Sequence, residues 1–200
     1  MSNDVVNKSR RNLLIGVTTA VGAVGVVGAA VPFVGSWNPS AKAKAAGAPV
    51  KFNLSKVEPG AMVTVEWRGK PVYVVRRTQA ALDSLKKVED MGLLRDAKSE
   101  VVSQQPKYAQ NQTRSIKGEF SILLGICTHL GCAPLYRPDV GAADLGGDKW
   151  QGGFFCPCHG SKYDLAGRVY TGVPAPFNLE VPKHMYENDS VVVIGEDQGA

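Results

Sequence analysis

Two short boxes constrain this chain more than any other feature: Cys127-Thr-His129-Leu-Gly-Cys132 and Cys156-Pro-Cys158-His159-Gly-Ser161. Together they hold all four cysteines and two of the three histidines in the 200 residues. Each pairs one Cys with one His at close spacing (C-x-H, then C-x-x-H) and carries one further cysteine. Two thiolates and two imidazoles can hold a metal centre, which leaves two cysteines free to bond each other.

The charged fraction of 20% and hydrophobic fraction of 44% allow a packed core, and the length fits one domain with an appendage. A net charge of +5 could serve a nucleic-acid partner. Lys and Arg are scattered, however, with no basic block interleaved with aromatics, so nucleic acid is not expected. Four cysteines are too few for a disulfide scaffold at this length, and their clustering marks a site.

Residues 12–34 carry no charge, and about 20 such residues span a bilayer as a helix. A water-soluble amphipathic helix would show polar residues at a period of about 3.6, and this run shows none. The alternative is a cleaved secretory signal, with Ala43-Lys-Ala45 as a small-residue cleavage site. The apolar run exceeds the usual signal core of about 7–15 residues, which favours an uncleaved membrane anchor.

Ser9-Arg10-Arg11-Asn12-Leu13-Leu14 precedes the run and is similar to a bacterial twin-arginine export signal. Lys8, Arg10 and Arg11 keep residues 1–11 cytoplasmic by the positive-inside rule. The remainder is then expected in the periplasm, beyond the inner membrane, where disulfides persist. Residues 35–49 read as a flexible linker of Gly, Pro, Ser and alternating Ala and Lys. Extended, it reaches roughly 50 Å at about 3.4 Å per residue, and its alanines also permit a helix.

From residue 50 onward the pattern is β. Val50–Val57 alternates loosely, Met62–Trp67 alternates well, Arg68–Pro71 turns, and Val72–Arg76 returns as a hairpin partner. Thr78 caps a predicted helix running to about Arg95, with Ala81, Leu82, Leu85, Val88 and Leu93 on its buried side. Residues 96–118 are polar and irregular, and Phe120–Ile126 is a buried strand feeding the first box. Residues 133–149 form a Gly/Pro/Asp-rich loop. Trp150–Phe155 is a strand into the second box, and Ser161–Arg168 leads back out. Leu179–Val181 and Val191–Ile194 close the sheet. The expected fold is mainly β: an antiparallel sandwich or small barrel over residues 50–200, with a cluster-binding part near 124–176. His184, in a polar stretch, reads as a surface residue.

A structural Cys₂His₂ zinc site usually pairs Cys with Cys and His with His. Here each box pairs Cys with His, and the first spacing is a single residue. That suits a binuclear cluster with one iron on two cysteines and the other on two histidines, the ligand set of Rieske [2Fe–2S] centres.

CTHLGC with CPCHGSKY resembles the cluster-binding pair of Rieske proteins, above all the iron–sulfur subunits of ubiquinol–cytochrome c reductase. The likeness extends to the twin-arginine anchor, Gln105–Asn111, and a Pro loop followed by Asn178-Leu-Glu-Val-Pro182. The resemblance implies that Cys127 and Cys156 hold one iron, His129 and His159 the other, and that Cys132 and Cys158 form a disulfide. Soluble Rieske ferredoxins and ring-hydroxylating oxygenases share the ligands but lack the disulfide and the anchor. Ser161 and Tyr163 match positions whose hydroxyls donate to the cluster's sulfurs and raise its potential. Leu130 and the loop Gly172-Val-Pro174-Ala-Pro176 match shielding positions. The loop departs from the family's Gly-Pro-Ala-Pro by the inserted Val173, and Asp139–Lys149 reads as a surface insertion.

The resemblance further implies electron transfer in the membrane-bound cytochrome bc complex, itself dimeric. Ubiquinol at the cytochrome b subunit would hydrogen-bond to His159, giving an electron to the cluster and a proton to the imidazole. The head would then swing on the 35–49 linker to a c-type cytochrome subunit. The alternative is the Rieske small subunit of another periplasmic oxidoreductase, such as an arsenite oxidase.

Overall fold

The structure is a computed structural model in which residues 7–197 are described, and it divides into two compact units, Met1–Ala45 and Ala46–Ala200. In the first, helix α1 spans Lys8–Gly35, with Asn7 as its N-cap accepting from the Arg10 amide at 3.1 Å. Its 28 residues extend about 42 Å at about 1.5 Å each, more than the roughly 30 Å hydrocarbon thickness of a bilayer. The mean hydropathy of its most apolar stretch is 2.1, and Leu13, Val21, Val24 and Val31 are exposed. By length and composition this helix can cross a membrane. A short helix, α2 (Ala41–Ala46), follows within the linker stretch.

Among the described residues, the second unit contains three antiparallel three-stranded sheets. Strands β1 (Val50–Asn53), β8 (His184–Asn188) and β9 (Val191–Ile194) form one in the order β1-β9-β8. Strands β2 (Met62–Trp67), β3 (Lys70–Arg76) and β4 (Phe120–Leu124) form the second, with β3 central. Strands β5 (Leu135–Val140), β6 (Gln151–Cys156) and β7 (Ser161–Tyr163) form the third, with β6 central.

The middle sheet is buried on both faces, and its side chains show how. Along β3, Val72 and Val74 join a core with Trp67, Ile122, Leu124, Val192 and Ile194. Tyr73 and Val75 face the other way, into a core with Leu123, Cys127, Phe154, Cys156 and Tyr163. Successive strand residues point to opposite faces, so an uninterrupted apolar run such as Val72–Val75 fills two cores at once. The second of these cores contains the thiols of the two boxes.

Helix α3 (Gln79–Asp90) begins where Thr78 accepts from the Ala81 amide at 3.2 Å. It stops earlier than its apolar pattern predicts, because Gly92 takes φ +66°. Gly92 N donates to Glu89 O at 2.9 Å and Leu93 N to Val88 O at 3.4 Å, the paired bonds of a Schellman cap. Leu85 packs with Leu165 and Ala166, and Val88 with Leu145, Trp150 and Tyr170.

Three further expectations are corrected. Leu179–Val181 is not a strand: Leu179 N donates to Gly167 O and Val181 N to Gln104 O, so its amides serve loops. The closing strand is β8, which pairs with β9. Within the presumed loop 133–149, Leu135–Val140 is strand β5, whose register on β6 shifts between Arg137 and Val140. Pro138, which has no amide to donate, sits in that irregularity, as proline in a sheet must. His184 is not at the surface but 1% exposed. Its Nδ1 meets Pro182 O at 2.8 Å and its ring meets Tyr108 edge-on, while burial pushes its pKa down.

Arg77, Arg114 and Arg168 are buried in the polar region between these elements. Arg168 Nε donates to Asp164 at 2.7 Å and Nη1 to Glu89 at 2.9 Å. Its burial works against the charge, but the two carboxylates outweigh it and raise its pKa. Burial lowers Arg77 and Arg114 to about 10, still charged at neutral pH. Both spend their guanidinium protons mainly on loop carbonyls, so residues 96–118 are held by hydrogen bonds rather than by strands.

Candidate metal centre

The second box is the tip of the β6–β7 hairpin. Cys156 and Ser161 are the last paired residues, and Gly160 N donates back to Cys156 O at 2.9 Å. The first box leaves β4 through Gly125, where a Cβ would lie 2.4 Å from the Tyr73 ring. Only a glycine lets the chain cross that ring. Tyr73 stacks on Phe154 at 5.8 Å and donates from Oη to Pro134 O at 2.9 Å, so one aromatic pair supports the chain around both boxes. The first box then closes on itself, with Cys127 N donating to Cys132 O at 2.8 Å.

Cys132 and Cys158 are disulfide-bonded, with Cα atoms 6.6 Å apart. Cys127 and Cys156 remain free thiols, 2% and 1% exposed. Sγ of Cys156 lies within 4.8 Å of both disulfide sulfurs, but those two are spent on each other and cannot ligate as thiolates. The imidazoles of His129 and His159 meet with ring centroids 4.7 Å apart, nearly perpendicular. Nδ1 of His129 is buried with no hydrogen-bond partner. His159 and Leu130 are exposed, the latter by 71%, so the tip is wet and apolar at once.

Burial first, and then neighbouring Cys127, push the Cys156 thiol up, so its thiolate needs a cation beside it. Tyr163, fully buried, lies with Oη 3.2 Å from Cys127 Sγ and accepts from the Thr128 amide at 3.2 Å. Burial, and then the contact with Cys127, push its pKa well up, so it stays a donor. Ser161 Oγ, also fully buried, accepts from the Ala175 amide at 3.1 Å. That contact brings the 172–176 loop onto the second box. Within it Gly172 and Pro174 are exposed, Val173 and Pro176 half-buried, and Ala175 buried.

Thr128, which the ligand pattern does not mark, also belongs to the site. Its hydroxyl donates to Phe177 O at 2.7 Å, tying the first box to the end of the same loop. Its place between the paired Cys and His is the signal that could have found it.

Two unbonded buried thiols, two touching imidazoles with an orphaned ring nitrogen, and two buried hydroxyls make a mixed sulfur–nitrogen donor set. It fits a Rieske [2Fe–2S] cluster. The same class emerges from comparison with known proteins. Residues 49–183 match the Rieske [2Fe-2S] domain, and residues 1–40 match the ubiquinol–cytochrome c reductase Fe-S subunit TAT signal. The chain belongs to the Rieske [2Fe–2S] protein family.

Within that family it is similar to the ubiquinol–cytochrome c reductase iron–sulfur subunit of Allochromatium vinosum, 57% identical over 100% of this chain and 95% of the relative. The subunit of the same name from Rhodospirillum rubrum is 43% identical over 94% of this chain and 92% of its own length. Among solved structures, a chain of a hyperthermophilic respiratory Complex III is 29% identical, with a TM-score of 0.47 over 88% of this chain and 97% of that one.

Proposed function

We propose that this chain is the electron-transfer subunit of a cytochrome bc complex, a quinol–cytochrome c reductase, working between the cytochrome b and c-type cytochrome subunits. Cys127 and Cys156 would hold one iron, and His129 and His159 the other. Bound there, the [2Fe–2S] cluster supplies a one-electron carrier whose potential is raised because two neutral imidazoles replace thiolates. Exposed His159 receives the hydrogen bond of ubiquinol and takes up its proton. Leu130, also exposed, offers the neighbouring apolar contact. Tyr163 and Ser161 hold hydroxyl protons toward the sulfur-rich interior and favour its more negative state. The disulfide keeps the two boxes together while one face of the site is open.

Helix α1 is read as the anchor in the bacterial inner membrane, with the N-terminus cytoplasmic and the β domain periplasmic, in contact with lipid and within a dimeric complex. The twin arginines, the apolar run and the disulfide support that orientation jointly. The alternative of another periplasmic Rieske oxidoreductase has no support among the relatives above, which are bc-type by name.

One observation carries the reading: two imidazoles in contact at an open tip, above two buried free thiols. Electron paramagnetic resonance of the reduced, membrane-purified protein, with cytochromes assayed in the same fractions, tests it. The expected result is a Rieske-type signal in fractions containing b- and c-type cytochromes. A silent, zinc-containing protein defeats the metal assignment, and a Rieske signal without those cytochromes defeats the assignment to the bc complex.

A further inference from the structure

The 172–176 loop reaches the second box through one hydrogen bond, from the Ala175 amide to Ser161 Oγ. What holds the loop so that this bond forms is the segment just after α3. Thr171 N donates to Leu93 O at 2.7 Å and Arg95 N to Val169 O at 3.0 Å, which pins the strand-like entry to the loop. The Arg95 guanidinium then reaches over the loop itself. Nη2 donates to Val173 O at 3.0 Å, and Nη1 lies 3.5 Å from Pro176 O.

Arg95 thus grips the carbonyls on both sides of Ala175. Such a two-pronged hold is a property of the planar guanidinium fork, and a lysine cannot reproduce it. Beneath the loop, Val173 packs on the cluster of Val88, Leu145, Trp150 and Tyr170. Leu145 belongs to the 139–149 stretch, so that stretch also forms part of the loop's seat.

A serine hydroxyl has one proton to give and two lone pairs. With one lone pair committed to the Ala175 amide, the hydroxyl rotor of Ser161 is restricted. Its proton is left free for an acceptor inside the box. We propose that Arg95 is a positioning residue for the site: by holding Val173 and Pro176 it sets the Ala175–Ser161 bond, and through it the donor strength of Ser161 toward the cluster. This rests on the metal assignment proposed above.

The test uses the full complex in five forms: wild type, Arg95→Gln, Arg95→Lys, Ser161→Ala and the Arg95→Lys/Ser161→Ala double variant. The midpoint potential is read by redox titration of the paramagnetic signal, and amide hydrogen exchange is followed across residues 171–177. Expected are a several-fold fall in the reduced-to-oxidised ratio at fixed poise for both Arg95 single variants and faster exchange at Ala175. Adding Arg95→Lys to Ser161→Ala is expected to change the potential no further.

A wild-type potential in Arg95→Lys overturns the proposal, since the lysine keeps the charge and loses only the fork. So does an undiminished shift in the Ser161→Ala background, which would mean that Arg95 acts independently of that hydroxyl. Loss of the Rieske signal in the wild-type control would instead indict the metal assignment.

Discussion

Tyr163 joins full burial to hydrogen bonding beside the proposed iron ligand Cys127. Its hydroxyl sits between Cys127 Sγ and the Thr128 amide, and burial keeps it protonated. A neutral donor against the Cys127 sulfur, proposed above as an iron ligand, would stabilise the reduced state more than the oxidised one. Tyr163→Phe removes the donor at constant ring volume. A differential hydrogen-bond contribution of about 1 kcal/mol corresponds to a roughly fivefold fall in the reduced-to-oxidised ratio at fixed potential. Redox titration checks this, and an unchanged midpoint in both Tyr163→Phe and Ser161→Ala would remove both hydroxyls from the site.

His184 bears on stability rather than on the site. It is buried in its neutral form, with Nδ1 on Pro182 O and Nε2 without a partner. The folded pKa lies below the ordinary value of about 6.5, so the unfolded chain binds the proton first. This contribution to stability is fully present above that pH and is lost as pH falls through the depressed folded pKa. Tyr108 and Tyr186 flank the ring, and Asp197 and Lys183 lie near Tyr108. Melting curves from pH 7.5 down to 5 should show an acid-side loss in the wild type that His184→Gln reduces. Parallel pH profiles for the two proteins would show that His184 does not titrate on unfolding.

Among the elements, the two box loops are tied to each other by the disulfide as well as to their strands. The first leaves β4 and the second caps β6–β7, and the disulfide closes a separation of 26 residues between them. Closing a loop of this size contributes about 3 kcal/mol in the chain-entropy model. Replacing both cysteines by serine should therefore lower the domain's unfolding free energy by about that amount. It should also let His129 and His159 separate, so that the cluster is lost faster on dilution or heating. Calorimetry with optical following of cluster loss measures both, and unchanged kinetics of loss would show that the strands alone hold the boxes together.

Much at this scale could be read from the chain. Met62–Trp67 alternates and forms an outer strand of its sheet, while Val72–Val75 runs apolar and forms the central one. The helix end is not legible in the apolar spacing, which continues past Asp90, whereas the Gly92 cap stops the helix. Strand β5 was hidden by Pro138 and by its own exposure, since a strand with little buried area leaves little hydrophobic pattern.

For the whole molecule, the proposed shuttle between quinol and cytochrome c depends on the stretch between the anchor and the β domain. That stretch contains α2, Ala41–Ala46, a helix of six residues. Helices this short are marginal in water, so the segment can interconvert between helical and extended lengths. Two or three prolines across 41–46 would abolish the helical state. The expected outcome is slower turnover of the complex with the paramagnetic signal and midpoint potential unchanged. Unaltered turnover would assign the segment a passive spacer role.

The proposed chemistry is legible in local spacing. Cysteine and histidine spacing within six-residue boxes is local, and an apolar run long enough for a bilayer is local too. Both survive whatever the rest of the chain does. How the site is enclosed depends on contacts between residues distant in the chain. Arg95 and Pro176 are far apart in the chain, as are Thr128 and Phe177, and no pattern of period two or 3.6 registers such pairs. His184 shows the same limit in reverse. Its polar neighbours are consistent with a surface, and only the packing of Tyr108 and Tyr186 around its ring makes it part of the interior.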